Sequence, residues 1–218
     1  MIKVNDLSQN NSLFNNFLGQ LRDLKVQQDR MRFRRNLERI GEIMAYEISK
    51  KLDFQPEDIY SPLGVAKSNI IKDQPVIATI LRAGLPLHQG FLNYFDSSDN
   101  CFISAYRKHT TEDDFDVEVE YLSSPLVDGK VVILTDPMIA SGASMVLAYK
   151  ALLQKGKPKH VHIAGVIASA EGVEYVKRHM PPNCTIWVGA IDAEMTAQSY
   201  IVPGLGDAGD LAFGSKEG

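Results

Sequence analysis

Between Leu21 and Leu52 the apolar residues Phe33, Leu37, Ile40, Met44 and Ile48 return at helical intervals on one face. This spacing predicts one long amphipathic helix within a helical region of about 17–52, with an apolar face able to meet another subunit. Beyond a Pro-containing stretch the pattern changes. Short apolar runs (PVIATI, CFISAYR, VVILT, VHIAGVIA, TIWVGAI) alternate with helical segments: LPLHQGFLNYF, Ser144 to Lys155 closed by Gly156, and EGVEYVKRHM. Strands of that kind between helices predict an α/β fold, a mostly parallel central sheet with helices on both faces. Ligands bind such sheets beyond the carboxyl ends of the strands. RKHTTEDDFDVEVEY, Arg107 to Tyr121, alternates acidic and apolar residues near its end, as a solvent-facing hairpin lid of about 104–124 would. No repeat or low-complexity linker divides the chain, and its 218 residues, 44% hydrophobic, suit one domain over 1–218.

Composition narrows the partners. The 23 basic and 27 acidic residues leave a formal charge of -4, so an anionic ligand must be met by local cations, and non-specific nucleic-acid binding is disfavoured. Seven basic residues from Arg22 to Arg39 are diluted by Asp23, Asp29 and Glu38, which makes that face solvated or subunit-facing. The two cysteines, Cys101 and Cys184, lack metal-ligand spacing, and MIKVNDLSQNNS carries no secretory pattern, so a cytoplasmic location is expected. No run approaches the roughly 18 apolar residues of a membrane helix.

Three stretches carry candidate chemistry. In VVILTDPMIASGAS, a strand ends at Thr135, Asp136 follows, and small residues lead to Ser144, where a helix is expected to start. Small side chains let backbone N–H groups reach an anion at a helix N-terminus, so this is a phosphate seat with an acid beside it. No Walker lysine follows the glycine, which excludes a P-loop nucleotidase. In VIATILRAGL, Arg82 and Gly84 fall at the same sheet edge, and the Gly84 turn is expected to turn N–H groups to an anion. YIVPGLGDAGD, about 200–210, spells G-x-G-x-x-G at Gly204, Gly206 and Gly209. It opens no βαβ unit, and with no room for a helix it reads as a rigid loop presenting backbone groups to a small planar ligand. His109 reads as an exposed lid residue, and His160 and His162, without a third ligand, do not make a metal site.

LRAGL, the pair Tyr106 and Arg107, DPMIASGAS, and YIVPGLGDAGD followed by Phe213 and Gly214 together resemble the uracil phosphoribosyltransferases of the type I phosphoribosyltransferase group, over about Arg22 to Gly214. Thr135-Asp136-Pro137 stands where the generic type I loop carries two adjacent acids, as in the uracil enzymes. The resemblance implies the type I fold and transfer of phosphoribose from 5-phospho-α-D-ribose 1-diphosphate to N1 of uracil, giving UMP and diphosphate in pyrimidine salvage. It implies that Asp136, Arg107 and Asp207 are catalytic. Arg82, Ala83, Gly84 and Arg107 would serve the diphosphate side, and Asp136 the ribose. Pro137, Met138 and Ile139 would lead into the phosphate seat of Ala140, Ser141, Gly142, Ala143 and Ser144. Ile201, Gly206, Asp207 and Ala208 would hold uracil, with Asp207 also reaching the sugar. Mg2+ would be the cofactor, held mainly by the sugar diphosphate and not by a side-chain cluster.

The family's properties further imply a homodimer or homotetramer and a possible GTP effector. Two features depart from the family pattern. Ala143 stands where a second glycine is usual, a strained position if it requires φ > 0, and the lid after Arg107 has its own wording. The alternatives are a transferase for another base and a non-enzymatic nucleotide-sensing regulator that binds RNA or protein through the basic helix.

Overall fold

The computed structural model describes residues 1–109 and 115–215, leaving out the side chains of 105–109 and 115–118. Strand β1 (Lys3–Asp6) precedes helices α1 (Leu13–Arg22) and α2 (Arg30–Ser49) and the hairpin of β2 (Phe54–Ser61) and β3 (Gly64–Ile71). Next come β4 (Val76–Leu81), α3 (Leu85–Leu92), β5 (Asn100–His109), β6 (Phe115–Ser123), β7 (Val131–Thr135), β8 (Met138–Ile139) and α4 (Ala143–Leu152). The chain continues through β9 (His160–Gly165), β10 (Ile167–Ser169), α5 (Ala170–His179) and β11 (Cys184–Val188). It ends with β12 (Ile191–Asp192), β13 (Glu194–Met195), β14 (Ile201–Val202) and α6 (Ala208–Phe213).

Seven strands form the central sheet in the order β1-β11-β9-β7-β4-β5-β6. Neighbours run parallel except β6, which returns antiparallel to β5 as the expected hairpin. Alternate strand residues face opposite sides. Ala78, Leu134, Ile163 and Ile186 join Val146 of α4 and Val176 of α5 in one buried cluster. Ile77, Ile133, Ala164 and Trp187 join Phe14 of α1, Leu37 and Ile40 of α2 and Leu87 of α3 in the other. From β4 the chain moves through α3 to β5 on one side, whereas β7, on the other side of β4, leads through α4 to β9. The crevice beyond the carboxyl ends of β4 and β7 is therefore the topological switch point, where such sheets take ligands.

The sequence pattern and the structure differ in four places. The helical region is two helices, because the Asp23 side chain accepts from the N–H groups of Lys25 and Val26 and ends α1, while Asp29 caps α2 through Arg32 N. Phe33, Leu37, Ile40, Met44 and Ile48 are buried as expected, but against the molecule's own sheet, so that face is not a subunit contact. VHIAGVIA is two strands, since Val166 and Ile167 both donate to Pro137 O and turn the chain into a small parallel sheet of order β12-β10-β8. The Gly-rich C-terminal stretch does contain a helix, α6, started by Asp207, whose Oδ1 accepts from Asp210 N.

Candidate active site

A cleft of about 430 Å³ occupies the switch point. Three segments meet in it: the end of β4 with Arg82 and Ala83, the Asp136-to-Met145 loop and helix start, and the C-terminal residues Gln198 to Tyr200 and Asp207 to Gly209. Of the expected site residues, Arg82, Ala83, Asp136, Met138, Ile139, Ala140, Ser141, Gly142, Ser144, Asp207 and Ala208 line it. Gly84, Pro137, Ala143, Ile201 and Gly206 are not among its walls. The side chains of Tyr106, Arg107 and His109, and the lid tip 110–114, lie outside the described residues.

Each wall is held by backbone and buried contacts. Thr135 Oγ1 donates to Ala78 O at 3.1 Å, locking β7 to β4 just before the acid. Asp136 N donates to Ala164 O, and one carboxylate oxygen accepts from Met138 N at 3.2 Å. Burial, partly offset by that N–H, pushes the Asp136 carboxyl up to about 7. No ion pair of Asp136 occurs among the described residues, so it presents an acceptor to the cleft.

The small-residue loop is built on two glycines. Gly142 has φ +79 and starts α4, and a Cβ there would lie 2.7 Å from Gly172 O. Gly172 belongs to α5, and a Cβ on it would lie 2.1 Å from Ala140 O. Ser169 Oγ donates to Ala140 O at 2.6 Å and accepts from Gly172 N, so α5 backs the loop. Ala143 is the first residue of α4 and is absent from the positive-φ residues; the strain expected there does not arise, because the left-handed position is Gly142. The helix starts one residue before Ser144, without a side-chain cap.

Gly84 also differs from expectation. Its N–H donates to Ile80 O, not to an open anion site. A Cβ would meet Thr79 Oγ1 at 2.2 Å, so glycine is needed for close packing at a φ of -70. Arg82 Nη2 is paired with Asp210 Oδ1 at 2.9 Å and bonds Gly214 O, tying the loop after β4 to α6 and the residue that follows it. The Leu81–Arg82 and Val202–Pro203 peptides are cis.

Sequence reasoning missed Gln198 and Ser199 and included Tyr200 only as the start of the C-terminal loop; all three are carried by a turn in which Thr196 N donates to Tyr200 O and Tyr200 N to Thr196 Oγ1. The polar run TAQSY before the apolar IVPG was the available signal. It also missed where the basic residues go. Arg22 grips Asp192 and Gly204 O, Arg34 donates to Ala212 O, Arg35 pairs with Glu38, and Arg39 bonds Asn36. On the face read as solvated or subunit-facing, or as an RNA surface, these four arginines make intramolecular contacts, and two of them, Arg22 and Arg34, reach the C-terminal segment.

A parallel sheet whose switch point opposes an acid-led small-residue loop to a C-terminal loop defines a type I phosphoribosyltransferase. Residues 8–215 match the family model described as uracil phosphoribosyltransferase, and the chain belongs to that family. A uracil phosphoribosyltransferase of Porphyromonas gingivalis is 56% identical over 99% of this chain and 100% of its own. One from Methanococcus vannielii is 39% identical over 89% of this chain and 84% of its own. A solved Aquifex aeolicus structure superposes with a TM-score of 0.86 at 26% identity, covering 97% of this chain and 98% of its own. Among the described residues no helix is long and apolar enough to cross a membrane.

Proposed function

We propose that this chain transfers phosphoribose from 5-phospho-α-D-ribose 1-diphosphate to N1 of uracil, releasing diphosphate and forming UMP. The carrying observation is that the acid and small-residue loop share one cleft with the C-terminal loop, so a sugar phosphate and a flat base can meet there. The C1–diphosphate bond breaks, the N1–C1 bond forms, and N1 loses its proton. Positive charge develops on the ribose ring and negative charge on the leaving group, so positioning and charge stabilisation dominate.

The proposal gives the residues these roles. The Asp136 carboxyl meets the ribose hydroxyls, and N–H groups of the Ala140-to-Ser144 loop at the α4 N-terminus take the 5-phosphate. Arg82, with Arg107 of the lid, serves the diphosphate side. The loop from Ile201 to Ala208 reads uracil through backbone groups, so cytosine would leave buried polar atoms unpaired.

Mg2+ fits this site as a companion of the substrate. The described walls set one guanidinium, Arg82, against two carboxylates, Asp136 and Asp207, leaving a diphosphate short of positive charge. Oxygen atoms of a diphosphate are ligands of the kind Mg2+ takes, so the ion would be held mainly by the sugar diphosphate. When bound, the ion would neutralise charge on the leaving group.

A homo-oligomer is part of the proposal. Every residue of β2 is exposed, Tyr60 at 83%, Leu63 in the turn that follows is exposed at 100%, and among the described residues β2 pairs only with β3. A lone two-stranded arm is marginal in water, which supports its covering by another copy. Light scattering of a Tyr60→Ser, Leu63→Ser variant should report a smaller particle. Cytoplasmic pyrimidine salvage and a GTP effector complete the reading. UMP formation from uracil, beside cytosine, orotate, hypoxanthine and guanine, with and without GTP, tests it. Turnover with uracil alone is expected, and no uracil turnover by folded protein would overturn it.

A further inference from the structure

We infer that the Arg22–Asp192 ion pair positions the uracil-facing loop against the phosphoribosyl seat, which makes both side chains positioning residues of the reaction. The inference rests on the proposed transfer to uracil. Arg22, the last residue of α1, meets Asp192 end-on through both terminal nitrogens, Nη1 to Oδ2 at 2.7 Å and Nη2 to Oδ1 at 2.8 Å. The same Nη1 donates to Gly204 O at 2.9 Å, and Gly204 N donates to Asp192 Oδ2 at 3.0 Å. The pair thus satisfies both backbone polar groups of a single residue in the loop. Gly204 is the tightest point of that loop, with φ +58 and no space for a Cβ, which would sit 2.1 Å from Ile201 O.

Asp192 is 8% exposed. Burial by itself would raise its carboxyl, but the Arg22 guanidinium and the Gly204 N–H outweigh this and hold it below the usual carboxylate range. Gln27 supports the anchor from beneath, donating to Arg22 O at 3.2 Å, with its Oε1 3.9 Å from where a Cβ on Gly206 would lie.

The other end of the link is the small sheet. Asp192 of β12 is paired with Ser169 of β10, and β10 pairs through Ala168 with Ile139 of β8. Strand β8 belongs to the loop that runs from Asp136 to the phosphate seat, and Ser169 also holds Ala140 O. One three-stranded sheet therefore carries the sugar-facing loop at one edge and, through Asp192 and Arg22, the base-facing loop at the other. N1 must approach C1 along the line of the breaking bond, and a misplacement of about 1 Å costs on the order of 100-fold in rate. This pair is a polar route by which the two halves share a frame.

The test compares wild type with the double variant Arg22→Gln, Asp192→Asn, which removes both charges together and avoids a buried lone carboxylate, and with Asp192→Asn alone. KM is measured separately for uracil and for the sugar diphosphate, with kcat, beside amide hydrogen exchange over 201–209 and 138–144. In the double variant KM for uracil should rise at least about 10-fold and kcat fall toward the 100-fold scale of a misplaced nucleophile. KM for the sugar diphosphate should stay within about twofold, and exchange should quicken over 201–209 only. Asp192→Asn, which keeps one acceptor oxygen and puts an amide donor in place of the other, should lie between. Equal change in both KM values, or unchanged exchange over 201–209, would overturn the inference. A wild type inactive with uracil would overturn the proposed function instead, while the exchange pattern still judges the anchor itself.

Discussion

Replacing Gly142 by alanine tests the phosphate loop most directly, because a control at Gly129 separates the two costs. Both glycines have positive φ, +79 and +67. Alanine in the left-handed region costs about 1–2 kcal/mol at either site. Around Gly129 nothing lies within 4 Å of an added Cβ, so Gly129→Ala carries that dihedral cost alone. At Gly142 the Cβ would meet Gly172 O at 2.7 Å and Val176 Cγ2 at 3.0 Å, and the first is backbone that cannot rotate away. Helix α5 must shift, an overpacking cost of about 1–3 kcal/mol. For a chain of this size each kcal/mol lowers the melting temperature by roughly 2–4 °C, so Gly142→Ala should melt about 2–12 °C below Gly129→Ala in scanning calorimetry. Titration with the sugar diphosphate should show affinity lost in the first variant and kept in the second. Equal melting temperatures with intact affinity in both would refute the reasoning, since the contact with Gly172 would then contribute nothing. Ala143→Gly, at a helical position, should improve neither quantity.

Asp136→Asn should lower kcat/KM about 10–100-fold by weakening a charged hydrogen bond worth about 1.5–3 kcal/mol. Burial holds the Asp136 carboxyl at about 7, above the ~3.9 of an unfolded chain. Its contribution to stability is therefore complete below about pH 4 and lost by the time pH has risen through about 7, so wild type should lose melting temperature relative to the variant between about pH 4 and 7; parallel curves would contradict this. Asp207→Ala removes the α6 cap at a cost of about 0.5–2 kcal/mol, whereas Asp207→Asn keeps it. If the carboxylate serves substrate, Asn should lose turnover with little change in melting, and an Asn variant of full activity would remove that role. Trp187 Nε1 donates to His162 Nδ1 at 3.1 Å inside the sheet's helix-covered face. Trp187→Phe should cost about 1–3 kcal/mol by leaving a buried acceptor unpaired, with kcat unchanged, and a fall in kcat would tie this region to the site.

Local chemistry on this chain was legible wherever a few consecutive residues decide the outcome. The apolar runs around Ile77, Ile133 and Ile163 suit only strands covered on both faces, and VVILTDPMIASGAS states its own strand, acid, loop and helix start because a run of small residues directly after a buried strand suits a tight loop at a helix N-terminus. The family resemblance added the substrates. What pattern alone did not reveal were capping competitions and long-range pairs. Asp23 and Asp29 cut one periodic stretch into two helices, and Asp207 started a helix in a segment rich in glycine. Arg22, one basic residue among seven in its stretch, became the partner of a carboxylate 170 positions away. Periodicity reports which face of a segment is apolar, and a family motif reports which loop meets the ligand. Which arginine holds that loop, and that the left-handed position is Gly142 and not Ala143, depend on backbone directions set only when the sheet, α1 and the C-terminal loop come together.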